Sequence, residues 1–107
     1  MAVTSTQSHN QVRNVAVGAY ISTGTAAAFN ITCGFKPRYV RIVNETSGDV
    51  IEWFEGMADS EGYKRIAAGT GALVTSNGII PITHGFTVGL DTDINVISEQ
   101  LSWIAMG

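Results

Sequence analysis

The sequence predicts an all-β chain: one β-sandwich or jelly-roll-like domain over residues 15–107, preceded by a flexible N-terminal arm over residues 1–14. Three observations carry this. Alternating apolar and polar runs of five to eight residues recur at roughly ten-residue spacing. Clusters of Gly, Asn and Asp divide them, with Gly 12 against Pro 2 in the whole chain. No stretch of about eleven residues holds the 3.6-residue period of an amphipathic helix.

Composition narrows the function. With 107 residues there is room for one core. The charged share is 14%, low against the roughly 25% of ordinary soluble domains, as expected where part of the surface is buried in an assembly. A formal net charge of -3 argues against nucleic acid, which needs a basic face to displace counterions. Cys33 is the sole cysteine, so no disulfide forms within the chain and a metal site needs scattered His and carboxylates. No apolar run reaches the roughly 18 residues of a bilayer span. The opening MAVTSTQSHNQ lacks the features of a secretion signal, so synthesis in a reducing cytoplasm is expected. The triplets Asn30-Ile31-Thr32 and Asn44-Glu45-Thr46 are read as chance glycosylation matches.

Residues Met1 to Asn14 are Ser/Thr/Gln/Asn-rich and aperiodic, either a disordered terminus or an arm that orders on a neighbouring subunit. Val15 to Ser22 is the first strand, with Gly18 as a bulge or a point of close approach, and Thr23-Gly24-Thr25 is a turn. Ala26 to Cys33 follows, with Phe29, Ile31 and Cys33 on one face. Gly34-Phe35-Lys36-Pro37 breaks the run, since proline lacks the ladder donor. Arg38 to Asn44 then turns Val40, Ile42 and Asn44 to one side, and Tyr39, Arg41 and Val43 to the other. The turn residues Thr46-Ser47-Gly48-Asp49 join it to Val50–Glu55, a predicted hairpin with Arg41 and Glu52 on the same side.

Gly56 to Gly62 reads as a loop with an exposed Met57. Strands are expected at Tyr63–Ala68 and Ala72–Thr75, then an Asn77-Gly78 turn, then strands at Ile79–Thr83 and Gly85–Leu90. Asp91-Thr92-Asp93 makes a turn, and Ile94–Ile97 and Glu99–Met106 complete the chain, with Trp103 in phase with Leu101 and Ala105. The words Ile31-Thr32-Cys33-Gly34-Phe35 and Ile82-Thr83-His84-Gly85-Phe86 echo one another, which we ascribe to coincidence or shared local geometry rather than duplication.

No catalytic set emerges. Asp91 and Asp93 are a fragment of a calcium loop without its remaining ligands or its terminal Glu, so they read as a polar turn, as do Asp59 and Glu61. His9 and His84 have no evident relation to Cys33. The chain is read as non-enzymatic and without cofactor. The adjacent aromatics Trp53 and Phe54 must point to opposite faces of a strand, so one faces outward, as a subunit contact or a stacking platform for sugar. With Met57, and with the basic residues Lys36, Arg38 and Arg41 around Pro37, they form the candidate interface.

The segment GFKPRYVRIVNETSGDVIEWFEGM, the later Ile82–Gly89 run and the closing Leu101-Ser102-Trp103-Ile104-Ala105 resemble small structural proteins of tailed bacteriophages. There a Gly-Phe-x-Pro-x-x-Val-x-Val strand leads into a Glu-Trp or Trp-Phe strand, and a Trp-x-Ala strand ends the chain. The resemblance covers Ile31 onward. It implies a virion protein on the capsid surface, most like head decoration (cement) proteins. Its partners are then the major capsid protein and further copies of itself as a homodimer or homotrimer, with assembly in the host bacterial cytoplasm. Tail-fibre or tail-associated domains that bind host-surface carbohydrate are the alternative.

Overall fold

The computed structural model describes residues 14–22 and 27–107. The arm expected over residues 1–14, with His9, lies outside them except for Asn14, as does the Thr23-Gly24-Thr25 turn. The described residues are all-β, without a helix. Eight strands follow in chain order: β1 Val15–Ile21, β2 Phe29–Thr32, β3 Tyr39–Asn44, β4 Val50–Phe54, β5 Glu61–Arg65, β6 Gly71–Ile82, β7 Gly85–Val88 and β8 Gln100–Met106. They form one antiparallel sheet in the order β1-β8-β3-β4-β5-β6-β7-β2, so the first and second strands are its two edges.

Register sorts the side chains onto two faces. On the inner face one row runs Ala16, Ala105, Val40, Trp53, and the next runs Gly18, Trp103, Ile42, Ile51, Lys64, Ala72. At the far side Ile79, Val88 and Phe29 form a row, and Pro81, Phe86 and Ile31 another. The sheet curls so that these walls meet. Phe86 packs edge-on against Trp103 with ring centroids 5.3 Å apart, although β7 and β8 are far apart in strand order. At the edges Tyr20 of β1 meets Phe29 of β2 at 4.9 Å. The core between the walls is Val40, Ile42, Ile51, Trp53, Ile79, Phe86, Val88, Ile94, Leu101 and Ala105. Strand alternation therefore places one side chain in two into a shared interior, which is how a single sheet buries apolar area without a second layer.

Glycine matters at two points in this packing. A Cβ at Gly18 would sit 2.6 to 2.8 Å from three atoms of the Trp103 indole, so the ring lies directly on the β1 backbone and Gly18 is a close-approach point, not a bulge. Gly34 instead supplies a left-handed turn, with φ 92°, after β2. Its counterpart in the sequence echo, Gly85, has no such φ and is buried beneath the Ile31 carbonyl. The two similar words thus do different jobs.

Four expectations change. Residues 71–82 are one strand, not two, because Asn77 takes φ 59° as a kink within β6. Its first part pairs with β5 up to Val74, and pairing resumes at Ile79, which also faces β7. The Asn-Gly signal marked a left-handed residue correctly but not a hairpin. Residues 94–97 are no strand: the amides of Ile94 and Asn95 donate to the Asp91 carbonyl, and that of Asp93 to the Asp91 carboxylate. This local turn drives Ile94 into the core. The strand expected from Tyr63 starts at Glu61 and ends at Arg65. Met57 is half-buried and packs against the core, not exposed.

Candidate functional site

The outward face is the feature that stands out. Its register rows cross most of the sheet. One row runs Val15, Met106, Tyr39, Phe54; the next runs Val17, Ile104, Arg41, Glu52, Tyr63, Leu73; a third runs Ala19, Ser102, Val43, Val50, Arg65, Gly71. Five side chains in these rows are large, apolar and open to solvent, Val15, Val17, Phe54, Tyr63 and Leu73, and Ile21 at the end of β1 is a sixth. Isolated exposed apolar residues are normal on a protein surface, but a contiguous patch marks a contact site. Charge lies within the face, with Arg41 and Glu52 at its centre and Arg65 in the third row. Arg41 stands opposite Glu52 as expected, yet the Glu52 carboxylate accepts instead from the Tyr39 hydroxyl at 2.6 Å. Burial first, and then that carboxylate, push the Tyr39 phenol up to about 12. Tyr39 also packs on Phe54, ring centroids 5.1 Å apart.

The two neighbouring aromatics divide as strand geometry requires. Trp53 is inward and buried, its indole N–H donating to the Ala58 carbonyl at 3.1 Å. Phe54 is the outward one. Lys36, Arg38, Trp53 and Met57 come together around one cleft, closed by Pro37, Glu55, Asp59 and Pro81. Arg38 is paired there with Glu55 at 2.9 Å, in the open. Arg41 and Phe54 lie elsewhere, on the outward face. Arg41 lines a shallow groove with Val43, Ser102, Trp103 and Ile104. The expected basic cluster is therefore split between two surfaces.

A second polar cluster was not foreseen from sequence. Lys64 lies on the inner face opposite Ile51, where its ammonium meets Asp93 at 2.7 Å and Asp91 at 3.0 Å. Burial works against its charge, but the hydrogen bonds and charges of Asp93 and Asp91 outweigh it and raise its pKa. The carboxylates that suggested a calcium loop are thus served by an internal cation. Nearby, Asn44 is fully buried. Its amide donates to the Asp93 carbonyl and Glu99 and accepts from the Thr46 and Ser47 amides, tying the β3–β4 turn to the chain leading into β8. Asn95 similarly donates to the Ala27 and Gly89 carbonyls.

Among the described residues no group of three or more His, Cys, Asp or Glu is placed to hold a metal ion, and no helix is long and apolar enough to cross a membrane. His84 offers its backbone carbonyl to the amides of Cys33 and Gly34, so its relation to Cys33 is a strand-end contact. The chemistry on hand is contact: an apolar outward face, with a smaller cleft of mixed charge at one end of β4. No family model, curated protein or solved structure matches this chain.

Proposed function

We propose that the chain is a virion structural protein, a bacteriophage head decoration (cement) protein that binds the outer capsid and stabilises capsomer contacts without chemistry of its own. The observation that carries this reading is the outward sheet face, with Val15, Val17, Ile21, Phe54, Tyr63 and Leu73 exposed across β1, β4, β5 and β6. The resemblance of the strand words from Ile31 onward supplies the phage context. The finer fold assignment belongs with it: the curled sheet is read as a jelly-roll or sandwich-like plug, rigid because opposite walls meet at Phe86 and Trp103.

The physical mechanism is area. Burial of apolar surface contributes roughly 25 cal/mol per Å², and a standard interface buries about 1,600 Å². Only the surplus over association costs appears as affinity. Repetition over a symmetric shell multiplies a modest surplus, which resists outward strain from packaged genome. The partners are the major capsid protein and other copies of this chain, at the capsid surface.

A tail-fibre or tail-associated role in binding host carbohydrate is the second reading. It is favoured by one observation, the outward Tyr39, Phe54 and Tyr63 around the Glu52 carboxylate, an arrangement that offers both stacking and hydrogen bonding to a sugar. Copy number decides between the two. Quantitative mass spectrometry of purified particles is expected to find this chain in high, fixed ratio to the major capsid protein. A few copies per particle, lost with the tails on fractionation, would sink the capsid assignment.

A further inference from the structure

The open edge of the sheet points to a specific partner. β1 is seven residues long and, among the described residues, has a single sheet neighbour, β8. A strand paired on one side leaves about half of its backbone N–H and C=O groups directed at the other. Proteins blunt such edges with lysine, proline, a bulge or a short strand. The opposite edge, β2, is only four residues. Val15–Ile21 has none of these devices: VAVGAYI carries no charge and no proline, and its pairing to β8 runs unbroken from Val15 to Ile21. Val15, Val17 and Ile21 are 57%, 72% and 57% exposed.

We propose that β1 is the docking strand for a second copy of this chain, pairing antiparallel with its own counterpart about a two-fold axis at Gly18. The register follows from full overlap of the strand with itself. Val15 then faces the partner's Ile21, Ala16 the partner's Tyr20 and Val17 the partner's Ala19. Every pair joins residues of the same sheet face, because reflection about Gly18 preserves the alternation. The exposed residues Val15, Val17, Ala19 and Ile21 therefore meet across the axis and cover one another.

Charge permits this pairing as well. A two-fold axis brings every charge opposite its own copy, and like charges directly opposed destabilise a sheet. β1 has none to oppose. The result is a closed, isologous dimer with one continuous sheet of twice eight strands, both long edges consumed and the outward faces merged. This assignment does not depend on the capsid reading, since the dimer forms in solution whatever the chain later binds.

Sedimentation equilibrium of the full chain tests it. The expected mass is twice the 11.3 kDa of the chain, with β1 amides protected from hydrogen exchange more strongly as concentration rises. Val17→Lys, at an exposed position, is expected to give a monomer with unchanged circular dichroism and an unfolding midpoint that no longer depends on protein concentration. Ala19→Lys repeats the test from the paired position, and Val17→Thr retains the dimer. A monomer at all concentrations, or a trimer, overturns the proposal. So does a dimer that survives both lysine variants with β1 exchange unaltered. A monomer that dimerises only when residues 1–13 are deleted assigns the edge to the chain's own N-terminal segment and also overturns it.

Discussion

Gly18→Ala isolates the packing of Trp103 and has a sign that the structure decides. In an open strand, Gly→Ala gains about 0.5–1 kcal/mol through the unfolded state. Here the new Cβ meets Cζ2, Cε2 and Nε1 of the indole at 2.6 to 2.8 Å, roughly 1 Å inside the optimal carbon–carbon separation of about 3.5–4.0 Å. The ring has little room to retreat, because Phe86, fully buried, stands edge-on behind it at 5.3 Å. Overpacking of this kind costs about 1–3 kcal/mol; three ring atoms met at once place it in the upper half, about 2–3. Subtracting the backbone gain leaves a net loss of about 1–2.5 kcal/mol. Urea unfolding followed by circular dichroism and tryptophan fluorescence should show a lower midpoint at unchanged slope. In a Trp103→Leu background the same substitution should be neutral or stabilising, so the double-mutant cycle reports the contact itself. A Gly18→Ala protein as stable as the parent would refute the close approach of ring and backbone.

Two further outcomes follow from the buried polar groups. Asn44→Ala removes four hydrogen bonds at a fully buried position and is expected to cost about 2–3 kcal/mol, read as a lowered unfolding midpoint; a loss below about 0.5 kcal/mol would contradict the tie it makes between the β3–β4 turn and the approach to β8. Lys64→Met strands the buried Asp91 carboxylate and is expected to cost about 2–3 kcal/mol, below the roughly 3–5 kcal/mol of a fully buried broken pair because Asp93 is partly open, with Asp91→Asn restoring part of it. The pH dependence has a definite sign. The folded pKa values of Lys64 and Tyr39 are both raised, so their stabilisation is complete below the ordinary values of about 10 and is lost as pH rises through the folded ones, for Tyr39 about 12. Thermal midpoints are expected to fall from about pH 10 upward, and an equal fall in a Lys64→Met, Tyr39→Phe double variant would exclude these two groups as its source.

Much of the sheet was legible because the signals were local. Period-two alternation located β1, β3, β4 and β8, and it grouped Val40, Ile42 and Asn44 on one face, which is the buried one. The Trp53–Phe54 adjacency required one outward aromatic, which is Phe54. What escaped was non-local. No one-dimensional pattern states that Lys64 of β5 will meet a turn at Asp91 and Asp93, since that contact depends on how far the sheet curls. The run Ile94–Ile97 carries β-branched residues suited to a strand, but the Asp91 side chain captures the Asp93 amide and bends the segment instead. The Asn77 kink likewise looks like a hairpin turn until β6 is seen to serve two neighbours in succession. The outward face was hinted at by the low charge content and by Phe54, but its extent emerged only once register aligned Val17, Ile104, Tyr63 and Leu73.

The position of β8 also bears on how the chain reaches this state. Translated last of the eight strands, it sits in mid-sheet between β1 and β3, so a nascent polypeptide cannot complete the sheet in order of synthesis. β1 has to wait, unpaired and apolar, while the five strands from β3 to β7 assemble beside an unfilled slot. Contacts of such long sequence separation make folding slow, on the order of milliseconds to seconds, and the waiting segment is the one most open to capture by another chain. Loss of the last residues of β8 would therefore break the molecule at its middle, not fray its end.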